Sequence, residues 1–220
     1  MKKDILEKGA ILQRDRETYA IAPHIPGGIT DTATLRKICD VADKYRVQSI
    51  KLTSAQRIAL IGIREEDLDS AWADLAQAPG AVIGLCVRSV KICPGTTYCK
   101  RGLQDSIGLG LAIDSVYHSM ELPNKMKIGV SGCLLSCAEA WVKDIGLLGT
   151  MNGWKIVVGG TSGIRPRLAE VLMEDVPTGE EALAIVKKIV DYYKAYPKKE
   201  RLGRIIEGMG IDRFREAVLG

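Results

Sequence analysis

Two cysteine pairs carry the side chains best suited to chemistry: Cys93-Pro94-Gly95-Thr96-Thr97-Tyr98-Cys99 and Cys133-Leu134-Leu135-Ser136-Cys137. Four thiolates from two loops make a soft, anionic donor set, which suits zinc or an iron–sulfur cluster better than a hard cation. The gaps narrow the choice. Structural zinc sites commonly separate paired ligands by about two to four residues and often include histidine, whereas these gaps are five and then three residues with no histidine inside. The spacing favours a cluster and leaves a zinc ribbon as the alternative. Cys39 and Cys86 lie on apolar faces and read as inert core residues.

The start of the chain, Met1-Lys2-Lys3-Asp4-Ile5-Leu6-Glu7-Lys8, has no apolar signal core. The six cysteines therefore read as reduced thiols or ligands of a cytoplasmic protein rather than as a disulfide framework. No run has the length of a membrane span. The net charge of +4 is spread out, without an arginine-rich run interleaved with aromatics, so nucleic acid is not the expected partner. A polyanionic cofactor or substrate accounts for such a surplus equally well.

The elements that must position the cysteines read as an α+β chain in two parts. Residues 1–17 read as an arm. A strand at Thr18–Ala22 leads through Gly27-Gly28 to a helix running from Thr30–Thr32 to Arg46, with strands at 47–53 and 57–63 and a helix at 67–77. Strand, helix, strand, strand and helix over 18–78 make a ferredoxin-like unit. A second unit, 79–197, is expected to begin with an apolar strand at 81–90 that feeds the first cysteine loop. A helix at 103–120 follows, then strands at 126–130, 145–148 and 154–158. A helix over 179–195 is capped by Thr178 and Glu181. Residues 198–220 read as a helical tail.

These residues resemble the sirohaem-dependent sulfite and nitrite reductases, in their small single-module form. The family's C-x5-C…C-x3-C motif is matched by Cys93, Cys99, Cys133 and Cys137. Leu52-Thr53-Ser54-Ala55-Gln56 with Gly62-Ile63 is similar to its L-T-T-R-Q…G-I stretch, and Leu122-Pro123-Asn124-Lys125-Met126-Lys127 to its L-P-x-K-x-K segment. Asp144-Ile145-Gly146 and Gly159-Gly160 fall where the family has D-I-G and G-G. Two departures stand out. Ala55 replaces the usual arginine, with Arg57 two residues on, and Leu134-Leu135 replaces Pro-Asn inside the second pair.

The resemblance implies a ferredoxin-like half domain followed by a sirohaem- and [4Fe–4S]-binding α+β domain. It implies that Cys93, Cys99, Cys133 and Cys137 hold the cluster, with Cys137 also bridging to sirohaem. The carboxylate-rich rim of that macrocycle would draw on Thr53, Gln56, Arg57, Lys91, Thr96, Thr97, Lys100, Arg101, Arg165 and Arg167, and on the Gly159-Gly160 amides. Arg88, Lys125 and Lys127 match positions that bind the anionic substrate. The implied activity is six-electron reduction of sulfite to sulfide, with nitrite to ammonia or a non-catalytic electron-transfer subunit as alternatives. Electrons would come from a ferredoxin-like donor. Because larger members contain two such modules, a homodimer or a paralogous subunit is expected to supply the missing half.

Overall fold

The computed structural model describes residues 2–79 and 83–220. The chain divides into two compact units, one up to Gly84 and one from Leu85 onward.

In the first unit, β1 (Ile11–Leu12), β2 (Tyr19–Ile21), β3 (Ser49–Leu52) and β4 (Ile58–Ile63) form an antiparallel sheet in the order β1-β2-β4-β3. Asp31 caps α1 (Thr32–Lys44) by accepting the Thr34 amide at 2.7 Å. That helix buries Ile38, Val41 and Ala42, and α2 (Leu68–Leu75) buries Leu68, Ala71, Trp72 and Leu75 in the core that also holds Tyr19, Ile21, Leu60 and Ile63. The expected strand–helix–strand–strand–helix order is present. Two expectations fail. Part of the supposed arm is built into the sheet as β1, with Asp4 accepting the Leu12 amide at 2.9 Å. Cys39 is exposed, because α1 buries a narrower stripe than its apolar residues suggest and leaves Leu35 and Cys39 outside it.

The second unit is a five-stranded mixed sheet, β5 (Lys91–Ile92), β6 (Ile128–Ser131), β7 (Ile145–Thr150), β8 (Gly153–Val158) and β9 (Glu170–Val176), arranged in sequence order. β5, β6 and β7 run parallel, β8 is antiparallel to β7, and β9 is antiparallel to β8. Between β5 and β6 come the single turn α3 (Gly95–Tyr98) and α4 (Ser106–Tyr117). After β9 come α5 (Gly179–Lys194), α6 (Leu202–Met209) and α7 (Ile211–Leu219). Thr178 caps α5 as expected, accepting the Glu181 amide at 3.1 Å.

One core joins Ile128, Val130, Ile145, Leu147, Trp154 and Ile156 to Leu109 and Ile113 of α4 and to Val186 and Ile189 of α5. The last two helices are part of it, since Leu202, Ile205, Ile206, Phe214 and Val218 are buried there. Of the strand expected over 81–90, the described residues 83–90 form none. Residues 81 and 82 lie outside the described residues, and the segment to Val90 makes only single bridges, Cys86 to Glu121 and Val87 to Met126. β9 escaped the sequence reading because its alternation is broken. Its pairing with β8 shifts register, and Asp175 takes a φ of 54°. Among the described residues no helix is long and apolar enough to cross a membrane.

Candidate functional site

Two adjacent parallel strands carry the two cysteine pairs. β5 and β6 pair Lys91 with Gly129 and Ile92 with Val130, and the Cys93 amide continues the ladder to the Val130 carbonyl at 3.1 Å. The first cysteine loop thus leaves the carboxyl end of β5, and Cys133 stands two residues beyond the carboxyl end of β6. In sheets of this kind the carboxyl edge is where ligands gather. Side chains alternate across a strand. Because Ile92 and Val130 enter the core, Lys91, Cys93, Gly129 and Ser131 face the other way.

Glycines let the two loops touch. A Cβ on Gly132 would lie 2.7 Å from Gly95 Cα, and one on Gly102 would lie 2.5 Å from the Gly95 carbonyl carbon. Leu103 and Gln104 both donate backbone N–H groups to the Gly132 carbonyl, at 2.8 and 3.0 Å. The Gly132 amide points at Cys93 Sγ at 3.1 Å, and buried Ser106 lies 3.4 Å from the same sulfur while donating to the Cys93 carbonyl at 2.8 Å. Backbone N–H groups aimed at the sulfurs are among the contacts by which a protein tunes an iron–sulfur cluster. All four thiols are free: Cys93 is buried, Cys99 and Cys133 are half-buried, and Cys137 is exposed. Among the described residues no three His, Cys, Asp or Glu side chains close on a point that could hold a single ion.

After Cys137 the chain folds back over the outward face of the sheet. The Ala138 amide donates to Ser131 Oγ at 3.0 Å, and the Ala140 carbonyl would stand 2.3 Å from a Cβ on Gly146. Glu139, with a φ of 58°, reaches Lys91 at 2.6 Å and Lys143 at 2.8 Å. Lys143 and Lys91 hold its carboxyl down at about 2. Buried Asp144 follows. The Arg201 guanidinium grips both of its oxygens, at 3.2 and 2.5 Å, and the Lys127 amide donates to Oδ2 at 2.8 Å. Although Lys127 is exposed as a whole, partial burial of its ammonium lowers its pKa. The cations Lys143, Arg201 and Lys125 add to this, and Asp144 opposes it. Lys127, Lys125, Lys143 and Arg201 therefore form one cationic neighbourhood.

The remaining sequence-derived candidates divide by what they touch. Arg88 is half-buried, and desolvation lowers its pKa. Lys125, Thr96, Thr97, Lys100, Arg101 and Arg165 are exposed. Lys91 is not a free donor for a cofactor carboxylate, because its ammonium is held by Glu139. Arg167 is likewise engaged, by the Gly203 carbonyl and by Glu170 at 3.2 Å. Gly159 and Gly160 are buried. The Gly159 amide is spent on the Asp144 carbonyl at 2.8 Å, and Gly160 lies under the Trp141 and Lys143 carbonyls, so both glycines serve close packing. Thr53, Gln56 and Arg57 belong to the first unit, in the turn between β3 and β4. There the Thr53 carbonyl accepts the Gln56 amide at 3.1 Å, and Arg57 is buried. Sequence reasoning missed Ser106, Glu139, Lys143 and Arg201. Only the Glu139–Lys143 pair left a trace, as opposite charges four residues apart.

A mixed sheet with paired cysteine loops at the carboxyl ends of parallel strands, in a chain that also carries a small ferredoxin-like unit, defines a class of redox module. The chain belongs to the nitrite and sulphite reductase 4Fe-4S domain family: that family's model matches residues 83–220, and the model of the nitrite/sulfite reductase ferredoxin-like half domain matches 11–78. This is an oxidoreductase family. An assimilatory-type sulfite reductase of Nitratidesulfovibrio vulgaris is 44% identical over 214 residues, covering 97% of this chain and 98% of that protein. The NAD(P)H nitrite reductase of Bacillus subtilis is 38% identical over 95% of this chain, which spans 26% of that larger protein. Mycobacterium tuberculosis NirA shares the fold with a TM-score of 0.80 at 23% identity, over 91% of this chain and 39% of that one. Dissimilatory sulfite reductase I does so with a TM-score of 0.78 at 14% identity, over 91% and 69%. The thiol set, the amide aimed at Cys93 and the glycine-lined contact between loops fit an iron–sulfur cluster.

Proposed function

We propose that this chain is a sulfite reductase module in which Cys93, Cys99, Cys133 and Cys137 hold a [4Fe–4S] cluster and Cys137 also faces a sirohaem. The observation that carries the reading is the meeting of two cysteine loops at the carboxyl ends of β5 and β6, in a unit that also carries a cationic neighbourhood where β6 and β7 begin. The near full-length likeness to an assimilatory-type sulfite reductase favours sulfite over nitrite. When bound, the cluster supplies electrons singly and the macrocycle an open iron for the anion. The exposure of Cys137 suits a thiolate shared with a second group.

The protein's own residues would bind, orient and protonate. Lys125, Lys127 and Arg88 would hold the anion's oxygens. A lysine with a lowered pKa gives up its proton more readily, so Lys127 suits protonation of an oxygen that departs as water. Exposed Lys100, Arg101 and Arg165, with Thr96 and Thr97, remain candidates for the macrocycle's carboxylates. Thr53, Gln56 and Arg57 of the half domain stay in that role by resemblance alone. The cytoplasmic location, the ferredoxin-like donor and a second copy or paralogue completing the site belong to the same proposal.

The test is viologen-coupled reduction of sulfite and of nitrite by protein reconstituted anaerobically with iron, sulfide and sirohaem. Turnover of sulfite to sulfide supports the reading. A fully loaded protein inert to both anions would make the chain an electron-transfer subunit, consistent with Ala55 replacing the family arginine. Preferential turnover of nitrite would reverse the order of substrates.

A further inference from the structure

An ionic tie links the two cysteine loops through groups that take no ligand role. Lys91 stands two residues before Cys93, and Glu139 two residues after Cys137. The Glu139 carboxylate uses both oxygens, Oε1 toward Lys91 at 2.6 Å and Oε2 toward Lys143 at 2.8 Å. The lysine side chains are only 16% and 9% exposed, so this is no loose surface pair, although Glu139 itself is 47% exposed. The backbone adds a second sign of constraint. A φ of 58° at a non-glycine residue costs on the order of 1 kcal/mol and persists only where surrounding contacts hold it. Here the Glu139 amide donates to the Ser136 carbonyl at 2.7 Å, and its carbonyl accepts the Val142 amide at 3.0 Å.

We propose that Glu139 is a positioning residue that latches the second cysteine loop onto β5, so that Cys137 is held in register with Cys93 before iron and sulfide arrive. The inference rests on the reading that the four cysteines ligate the cluster. Its physical content is preorganisation. With the latch closed, the loop bearing Cys133 and Cys137 is already ordered, and cluster binding does not bear that entropy. With the carboxylate gone, two shielded ammonium groups lose the partner they share, and the loop keeps the hydrogen bond from the Ala138 amide to Ser131 Oγ but loses its ionic tie to β5.

The experiment reconstitutes full-length protein with ferrous iron and sulfide and follows iron per chain, acid-labile sulfide, the rate of iron loss to a chelator and the electron paramagnetic resonance of the reduced cluster. Melting of the apoprotein is measured in parallel. Glu139→Gln is expected to lose iron on the order of tenfold faster, as outer ligand supports do when removed, with a broadened resonance and nearly unchanged melting. Glu139→Asp, which keeps the charge, should recover most of the loss. Glu139→Gln combined with Lys91→Met should be no worse than Glu139→Gln alone. Retention by Glu139→Gln equal to the wild type overturns the latch. So does iron loss that tracks melting temperature across the series, since that marks a merely structural pair. Wild-type protein that takes up no iron and sulfide would sink the cluster reading and the latch with it, whereas a loaded wild type with an equally loaded Glu139→Gln sinks the latch alone.

Discussion

Gly129 and Gly146 are register partners on adjacent parallel strands, and the backbone of Ala138–Ala140 crosses directly over both. A Cβ at Gly129 would meet the Ala138 carbonyl at 2.8 Å, and one at Gly146 the Ala140 carbonyl at 2.3 Å. The missing side chains are what lets the segment carrying Cys137 and Glu139 lie flat on the sheet. Gly146→Ala is expected to cost about 1–3 kcal/mol through overpacking, read from urea unfolding, and to lower cluster loading. Gly179→Ala, whose Cβ meets nothing within 4 Å, is the control and should change stability by less than about 0.5 kcal/mol. Equal effects from the two would remove the crossing as the explanation.

The Arg201–Asp144 pair ties the start of α6 to the strand edge that carries Lys127. The Asp144 side chain is 2% exposed and Arg201's 22%, so removing the cation leaves a buried carboxylate uncompensated. Arg201→Met should destabilise by about 3–5 kcal/mol, and adding Asp144→Asn should restore part of that. A double variant as unstable as the sum of its single changes would show the two residues acting independently.

Lys127 gives the activity a pH signature. Its pKa is lowered from 10.5, so its charged form disappears at a lower pH than that of an ordinary lysine. Activity with reduced viologen should fall earlier on the alkaline side than an unperturbed lysine dictates, and Lys127→Arg should push that limb upward. Lys127→Met should lower kcat/KM by about 10²–10⁴-fold, the usual range for a positioned acid. An alkaline limb unmoved by Lys127→Arg would remove the residue from the protonation step.

In the first unit, Asp74 joins α2 to the end of α1 by accepting from Lys44 Nζ and Tyr45 Oη, each at 2.6 Å. Its pKa is lowered, by Lys44 first and then Tyr45. The carboxylate therefore adds stability that is fully present above its unfolded value and is lost as pH falls through the depressed folded one. Asp74→Asn should lower the urea midpoint modestly at neutral pH, since exposed pairs contribute little, and the gap to the wild type should close toward the acid end. A gap that persists once the carboxylate is protonated in both the folded and the unfolded chain would mean that packing, not charge, carries the effect.

What the sequence by itself determined is local. The five- and three-residue gaps declared a cluster-type donor set, the period of two against the helical period placed most strands and helices, and Thr178 with Glu181 announced the start of α5. Such features depend on neighbours within a few positions, so composition and spacing suffice to read them. The tertiary structure alone decided which charges are available. Lys91 and Arg167 read as open cations in the chain, yet one is held by Glu139, 48 residues away, and the other by the Gly203 carbonyl, 36 residues away. Gly129, Gly132 and Gly146 look like ordinary glycines until parallel pairing sets β5, β6 and β7 side by side and a returning loop crosses them. Strand register brings remote residues together through backbone hydrogen bonds that carry no side-chain label. For that reason the candidate donors could be read from the chain, while the Glu139 ion pair with Lys91 and Lys143 had to be seen folded.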